Sequence, residues 1–336
     1  MEREEIMLRQ MAGQHLLQKT DVATAVHDLC GVQAQFLSNA LHALAIRCTA
    51  VETQQLIKNW TLRGTMHVFD RQDLPLMLHQ GRSHFLRPCD TMADDEKVSG
   101  ERKRFFADLI VQLINSGIDE REQLKEQCFR TGMTPDEADS LFNPWGGLIR
   151  ALCEEGRICH KVQEKKAFQL CEPFEPMEER AAELELARRY FTHYGPATIR
   201  DAAYFFGTTQ SRVRQWLDEL PVSSNVCEGR TYFWIPTDDV SNDSMPACIF
   251  LAGFDPLMLG YEKKESLFLP PEHLRGIFNL AGIVMPAVLL HGRVCGRWKK
   301  TGRRVQIMLF ENVRDVQLLD ENARRVWPDL RSIEWL

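Results

Sequence analysis

The stretch TIRDAAYFFGTTQSRVRQWLDEL, residues 198–220, has the layout of a helix-turn-helix. TIRDAAYFF predicts a short helix, and Gly207 suits the tight turn that follows it. Thr208 or Thr209 can cap a second helix over QSRVRQWLDEL, because a threonine hydroxyl accepts a hydrogen bond from the first amides of a helix. NVCEGRTYFWI, residues 225–235, predicts a β-hairpin around a Glu-Gly turn. Helices followed by a hairpin make the winged-helix pattern.

The same order of elements occurs in the preceding stretch, residues 100–174. Phe105 and Leu109 recur there at helical spacing, and further helices are predicted over residues 122–129 and 145–155. RICHKVQEKKAFQLC then predicts two short strands around a polar turn. Two consecutive units of one kind indicate a tandem array.

The N-terminal segment combines helices with one strand and is a candidate third copy of the pattern. Asp21 can cap a helix over residues 22–29, and more helices are predicted over residues 38–48 and 53–60. The RGTMHVF stretch that follows has the β-branched and aromatic composition of a strand. A polar stretch that contains Pro88 predicts a linker after this segment.

From about residue 243 the chain changes to apolar or alternating pieces of strand length, such as ACIFLAGF and RRVQIMLFENV. These pieces predict a β-rich closing domain. One hairpin in it, which we call the basic hairpin, is predicted to turn at Thr301-Gly302. It carries six basic residues and no acid: Arg293, Arg297, Lys299, Lys300, Arg303 and Arg304.

Composition bounds the possible functions. The 336 residues include 44% apolar and 26% charged residues, and the net charge of −6 argues against a protein that coats nucleic acid indiscriminately. No apolar run approaches the length of a membrane span, and the charged start MEREEIMLRQ does not predict a signal peptide. We expect reduced thiols and a cytoplasmic location.

No metal site is predicted from the cysteines. The ten cysteines include no CxxC pair, and Cys153, Cys159 and His160 lie close together but lack a fourth ligand at zinc-site spacing.

Pattern alone leaves two uses open for tandem winged helices, since such domains bind either nucleic acid or other proteins. Arg212, Arg214 and Gln215 would suit a DNA-facing helix and would equally suit a solvated one. The basic hairpin favours DNA, because clustered lysine and arginine neutralise phosphates and release counterions.

A more specific signal lies near the N-terminus. The triplet QAQ, residues 33–35, sits inside LCGVQAQFLSNALHALAIR, and LRGTMHVFDRQDL follows at residues 62–74. Together with GFDPLMLGY, residues 253–261, and VLLHGRVCGRWKK, these motifs resemble the AlkZ/YcaQ family of winged-helix DNA glycosylases. The resemblance covers nearly the whole chain, and QAQ and RGTMH are its most specific parts.

The resemblance implies an α+β fold with three tandem winged-helix domains and a C-terminal β-barrel-like domain around a channel for duplex DNA. We place the winged helices at residues 1–99, 100–175 and 176–242, and the β-rich domain with the basic hairpin at residues 243–336.

The resemblance also assigns catalysis to a Gln-hydrophobic-Gln motif, which maps onto Gln33 and Gln35. A related branch of the family has aspartate at the last position, so Gln35 places this chain in the AlkZ-like branch. We expect DNA contacts from Arg63 and His67 in RGTMH, as well as from the basic hairpin. We expect His15 and His42 to be packing or surface histidines that do not bind DNA. Asp255 precedes a proline and is expected to cap a turn.

The implied activity is that of a monofunctional glycosylase, which hydrolyses the N-glycosidic bond of cationic N7-alkylguanine-type purines in duplex DNA. Unhooking of interstrand crosslinks is a further activity that the family implies. No lysine sits in the motif to form a Schiff base, and neither a cofactor nor a metal is expected. The expected partner is duplex DNA that contains alkylated bases. We expect the protein to be a monomer and not to bind a membrane. The alternative is a non-catalytic winged-helix regulator, which would have no use for the paired glutamines.

One geometric condition accompanies this assignment. Residues i and i+2 lie roughly 200° apart on a straight helix. Gln33 and Gln35 can therefore face one site only if their backbone leaves the helix, and Gly31 makes such a break plausible.

Overall fold

The computed structural model describes residues 1–79, 82–83, 92–143, 146–237 and 244–336. The predicted linker around Pro88, the start of the helix predicted from Trp145 and the boundary predicted at residues 242–243 lie outside these residues. The described chain forms two compact units. Unit 1 comprises Met1–Val51 and Ala187–Leu336, and unit 2 comprises Glu52–Leu186.

The fold mixes helices and sheets. The α-helices are α1 (Arg3–Gly13), α2 (Val22–Asp28), α3 (Leu37–Ala45), α4 (Leu74–Met77), α5 (Gly100–Asn115), α6 (Arg121–Arg130), α7 (Pro135–Leu141), α8 (Gly147–Glu154), α9 (Glu179–His193), α10 (Ile199–Phe206), α11 (Gln210–Leu217), α12 (Pro256–Leu259), α13 (Leu274–Ile277) and α14 (Val316–Val326). The strands are β1 (Val32–Gln33), β2 (Leu56–Trp60), β3 (Met66–Asp70), β4 (Leu78–His79), β5 (Arg82–Ser83), β6 (Ile158–His160), β7 (Phe168–Leu170), β8 (Ser223–Cys227), β9 (Arg230–Trp234), β10 (Cys248–Phe250), β11 (Ala287–Leu290), β12 (Arg293–Thr301), β13 (Arg304–Leu309) and β14 (Ser332–Trp335).

Unit 2 packs helices against strands in the order β3-β2-β6-β7, and the three pairings among them are antiparallel. The helices predicted over residues 122–129 and around Phe105 are confirmed as α6 and α5, and the predicted strands as β6 and β7. Its core gathers the apolar faces of α5 to α8 and includes Phe106, Ile110, Leu124, Leu152 and Phe168.

The helix predicted over residues 53–60 is wrong. Leu56–Trp60 is instead strand β2, paired along its whole length with β3. A 3-10 helix at Leu62–Gly64 provides the return between the two strands. Hydrogen bonding between the two strands of this hairpin thus overrides a short apolar spacing that also suits a helix.

The helix-turn-helix elements of unit 1 are confirmed. The Thr198 hydroxyl caps α10 in a capping box with Asp201, and Gly207 ends the helix in a left-handed conformation, with φ of 65°. Thr209 accepts a hydrogen bond from the Arg212 amide and caps α11. The predicted hairpin is present as β8 and β9. Whether this set of elements acts as a winged helix stays a prediction.

The C-terminal strands form an open sheet in the order β10-β11-β12-β13-β14, in which β14 runs parallel to β13 and the other pairings are antiparallel. The described strands do not close on themselves, so the barrel-like closure is not confirmed. Helix α14 packs on this sheet through Leu319 and Ala323. The prediction of a β-rich region therefore missed α12, α13 and α14.

Candidate active site and nucleic-acid surface

The paired glutamines lie where the chain passes from helix α2 to helix α3. Helix α2 ends at Asp28, and Cys30 and Gly31 then adopt left-handed backbone angles, with φ of 55° and 79°. Strand β1 contains Gln33, and helix α3 begins only at Leu37. The triplet is therefore not helical, so the backbone leaves the helix as the i, i+2 spacing requires. That both glutamines face one site stays a prediction.

The burial of the side chains changes partway along the motif. Gln33 is buried, with 8% of its surface exposed, and Ala34 is fully buried, whereas Gln35 and the following Phe36 are exposed. The small Ala34 side chain thus points into the protein core. One glutamine therefore lies in a low-dielectric setting and the other lies at the surface.

The turn before the motif is held by hydrogen bonds to its backbone. The Gly31 amide donates to the Val26 carbonyl over 2.7 Å. The buried Tyr194 hydroxyl donates to the Leu29 carbonyl over 3.0 Å. Glycine suits position 31, since residues with a side chain rarely adopt its φ of 79°. Tyr194, the residue after α9, therefore helps to hold the backbone that leads into Gln33.

The GFDP segment lies beside the glutamine motif. The Phe36 ring stacks on the Phe254 ring, with 6.0 Å between centroids and 27° between planes. A Cβ atom on Gly253 would come within 2.6 Å of the Asn39 side chain, so the absence of a side chain at Gly253 permits this close approach. Two motifs that carry the family resemblance, more than 200 residues apart, therefore meet at one place.

Arg47 and Asp255 form a fully buried ion pair next to this contact. Two oxygens of Asp255 accept from the Arg47 guanidinium at 2.7 and 3.1 Å, and both side chains are 0% exposed. Asp255 also accepts from the Leu257 amide and caps α12, which confirms its predicted role in a turn. The sequence analysis missed Arg47, because its partner is remote in sequence.

The basic hairpin is formed by β12 and β13, with a two-residue turn one position later than predicted, at Gly302 and Arg303. Gly302 has φ of 56°, as the first turn residue of a tight hairpin requires. The register pairs Lys299 with Gln306 and Thr301 with Arg304. Arg297, Lys299 and Arg304 therefore share one face of the ribbon.

Acids from outside the hairpin neutralise part of its charge, which the local sequence did not reveal. Arg293 pairs with Glu272 at 3.1 Å, and Arg303 lies 3.6 Å from Asp329. Lys300 donates to the Gly302 carbonyl over 2.6 Å. Within the part of the chain that the structure describes, Arg297, Lys299 and Arg304 form no ion pair. Near the turn, a polar groove is lined by Thr301, Arg303, Arg304, Gln306, Arg331 and Ser332.

Arg63 and His67 lie in unit 2 with different environments. Arg63 is half-buried in the turn between β2 and β3, with φ of 57°. His67 on β3 is 4% exposed, and its Nδ1 lies 2.9 Å from the Thr61 hydroxyl. Burial, followed by the charge of Arg63, lowers the pKa of His67 to about 3. The ring is thus neutral and enclosed, and its predicted contact with DNA stays a prediction that this burial does not favour.

The remaining candidate residues separate into packing and surface positions. His42 donates from Nε2 to the Phe250 carbonyl over 2.8 Å and packs against Trp298 and Trp327. Arg212 and Arg214 are exposed on α11, opposite the buried Trp216.

Cys159 accepts from Gln169 and, among the described residues, does not join Cys153 and His160 in a metal-ligating group.

Comparison with known proteins identifies the family. The sequence pattern of the family described as "DNA glycosylase AlkZ-like" matches residues 26–325. The chain belongs to the AlkZ-like DNA glycosylase family. It is therefore an enzyme, and the predicted resemblance is confirmed over nearly the whole chain.

Individual AlkZ-like proteins agree with this assignment. An interstrand DNA cross-link repair glycosylase of Streptomyces sahachiroi is 24% identical over 330 residues, which cover 89% of this chain and 88% of that protein. The solved structure of the Streptomyces sahachiroi DNA glycosylase AlkZ matches with a TM-score of 0.77 and 23% identity, covering 100% of this chain and 99% of that one. This likeness shows that the two share a fold. No described helix of the AlkZ-like chain is long and apolar enough to cross a membrane.

Proposed function

We propose that this AlkZ-like protein is a monofunctional DNA glycosylase that releases cationic alkylated purines, of the N7-alkylguanine type, from duplex DNA. The observation that carries the proposal is the non-helical Gln33-Ala34-Gln35 segment, in which Gln33 is buried and Gln35 is exposed. Gln33 and Gln35 are the proposed catalytic residues.

Neutral amides suffice for this reaction because the lesion supplies the charge. Cleavage of the bond between C1′ and N9 sends its electron pair to a purine that is already cationic, so the base leaves neutral without a general acid. Water adds to C1′ and loses a proton, which leaves an abasic site. Amide oxygens accept hydrogen bonds and can both orient this water and stabilise the positive charge that develops on the sugar.

The exposed surface beside Gln35 suits an extruded nucleotide. Enzymes that act on a base in a duplex take it out of the stack and often hold it against aromatic side chains. Phe36 offers such a ring, 50% exposed and supported from behind by Phe254. We assign the phosphate backbone to the basic hairpin and to Arg63, with His67 positioning the Arg63 turn.

The finer architecture and the substrate range belong to the same proposal. We propose that the helical segments act as three winged helices at residues 1–99, 100–175 and 176–242, and that the sheet of residues 243–336 closes the DNA channel.

The name of the Streptomyces sahachiroi relative supports interstrand crosslinks as substrates. We propose action as a cytoplasmic, nucleoid-associated monomer. The alternative, a non-catalytic regulator, is not favoured, because the family is one of glycosylases.

The experiment is single-turnover release of 7-methylguanine from duplex DNA by wild type, Gln33→Ala and Gln35→Ala. We expect each variant to be slower by at least about tenfold, a loss of roughly 1.4 kcal/mol of transition-state stabilisation, with little change in DNA affinity. Gln317→Ala on α14 is the matched control, since Gln317 is an exposed glutamine of the same unit. Release at the wild-type rate by both motif variants would remove the two residues from the mechanism.

A further inference from the structure

Three metal-ligating side chains converge at the ends of three helices of unit 1. His15 lies two residues beyond α1, Asp28 is the last residue of α2, and His193 is the last residue of α9. His15 Nε2 lies 2.8 Å from Asp28 Oδ2, and His193 Nε2 lies 3.3 Å from Asp28 Oδ1. One ligand atom of each residue lies within 4.8 Å of the other two.

The Asp28 carboxylate lies at the centre of this cluster. The rings of His15 and His27 each form a hydrogen bond with it, and the His193 ring faces its Oδ1 atom. The imidazoles of His15 and His193 therefore approach one carboxylate from the ends of two different helices.

We propose that His15, Asp28 and His193 bind a divalent transition-metal ion of the zinc class. Two imidazoles and one carboxylate are a donor set that such ions favour. Bonds of about 2.0–2.2 Å in tetrahedral geometry place ligand atoms roughly 3.4 Å apart, so small rotations convert the observed contacts into a ligand set. The three side chains are 17%, 10% and 21% exposed, which leaves an entry path and a position for water.

The surroundings orient the ligands as metal sites require. The Gly13 carbonyl accepts from His193, and His27 Nδ1 lies 2.9 Å from Asp28 Oδ1, so two of the three ligands have second partners. His15 holds a left-handed backbone, with φ of 57°, that aims its ring at Asp28.

The metal ion would connect the ends of α1, α2 and α9 just before the turn that leads to Gln33. Its role is structural, and the hydrolysis proposed above takes no step through it. Binding and glycosylase activity can therefore be measured separately.

The test is titration of the chelator-treated full-length protein with Zn²⁺ by calorimetry and with Co²⁺ by visible absorption. Wild type should take up one equivalent of ion per chain. His15→Asn, His193→Gln and Asp28→Asn should each weaken binding by at least about 100-fold, since removal of a ligand costs no less than loss of its supporting partner. Asparagine at position 15 tolerates the left-handed backbone, and circular dichroism identifies any variant that does not fold.

His291→Ala, an exposed histidine paired with Asp315 in the same unit, is the matched control and should bind as wild type does. Failure of the folded wild type to bind one equivalent would overturn the proposal. Wild-type affinity in His15→Asn and His193→Gln would do the same, as would a thiolate band in the Co²⁺ spectrum that disappears in Cys159→Ser.

Discussion

Gln33 and Gln35 are neutral side chains, and their chemistry limits which lesions the enzyme can process. An amide is neither a strong acid nor a strong base, so it cannot protonate a leaving base. We therefore expect release of N7- and N3-alkylpurines, which carry their own charge, and no release of uracil or 8-oxoguanine. The measurement is the release of the damaged base in parallel assays on matched duplexes that differ only in the lesion. Efficient excision of a neutral base would show that another residue acts as a general acid.

His67 predicts a specific dependence of stability on pH. Burial lowers its pKa from the ordinary 6.5 to about 3, so below pH 6.5 the unfolded chain binds a proton that the folded chain does not. Stability from the neutral ring is thus complete above pH 6.5 and is lost as pH falls towards 3. The loss is about 1.4 kcal/mol for each pH unit from this residue.

Urea unfolding of wild type and His67→Gln between pH 7 and pH 5 measures the contribution of His67 to the pH dependence of stability. Glutamine is chosen because it keeps a hydrogen-bonding side chain that does not titrate. The variant should have the shallower slope of unfolding free energy against pH. His291→Gln is the matched control, since it replaces an exposed histidine ring instead of a buried one. Equal slopes for wild type and His67→Gln would contradict the prediction, because they would mean that His67 binds protons equally in the folded and unfolded states.

At the scale of elements, the basic hairpin offers a testable surface. Arg297, Lys299 and Arg304 share a face that no described acid pairs with, whereas Arg293 is paired with Glu272. Phosphate contacts carry no sequence information, so their loss should weaken binding about equally on all duplexes. Each lost contact should reduce the slope of log affinity against log salt by roughly 0.9.

The measurement is a salt titration of duplex binding by wild type and Lys299→Ala/Arg304→Ala, which should lower the slope by roughly 1.8 for two lost contacts. Lys299→Ala/Lys300→Ala should lower it by less, because Lys300 points to the other face and donates to Gly302. Arg324→Ala, which removes an exposed arginine of α14 that is ion-paired with Asp320, serves as the control. An unchanged slope in Lys299→Ala/Arg304→Ala would assign the DNA surface to other elements.

Local signals decided which elements the sequence could predict. Capping threonines, Gly207 and the Glu-Gly turn each act within a few residues, and the elements that they delimit are confirmed. Residues 53–60 carried no such signal, and pairing with β3 made Leu56–Trp60 a strand. Helix α14 was missed because its neighbours are strands and its burial depends on the sheet beneath it. For QAQ the sequence predicted only a break from helical backbone near Gly31, and the left-handed Gly31 and strand β1 confirm that break.

At the scale of the whole molecule, the sequence order conceals how the chain is divided. Unit 1 combines the first 51 residues with residues from Ala187 onward, so its core depends on contacts between the two ends of the chain. Arg47 and Asp255, 208 positions apart, are such a contact. Neither residue has a neighbouring charge pattern that reveals the other, which is why the sequence predicted a turn cap at Asp255 and nothing at Arg47.

The Arg47–Asp255 pair should be strongly coupled. Removing one partner leaves the other as a buried charge without compensation, so Arg47→Met or Asp255→Ala alone should cost about 3–5 kcal/mol of unfolding free energy. The double variant buries no lone charge and should cost less than the sum by at least about 1 kcal/mol. It should not recover wild-type stability, because the Leu257 amide also loses its cap. Urea unfolding of the four proteins in a double-mutant cycle gives the coupling. Additivity within about 0.5 kcal/mol would show that the two side chains act independently and that other contacts join the two ends of the chain.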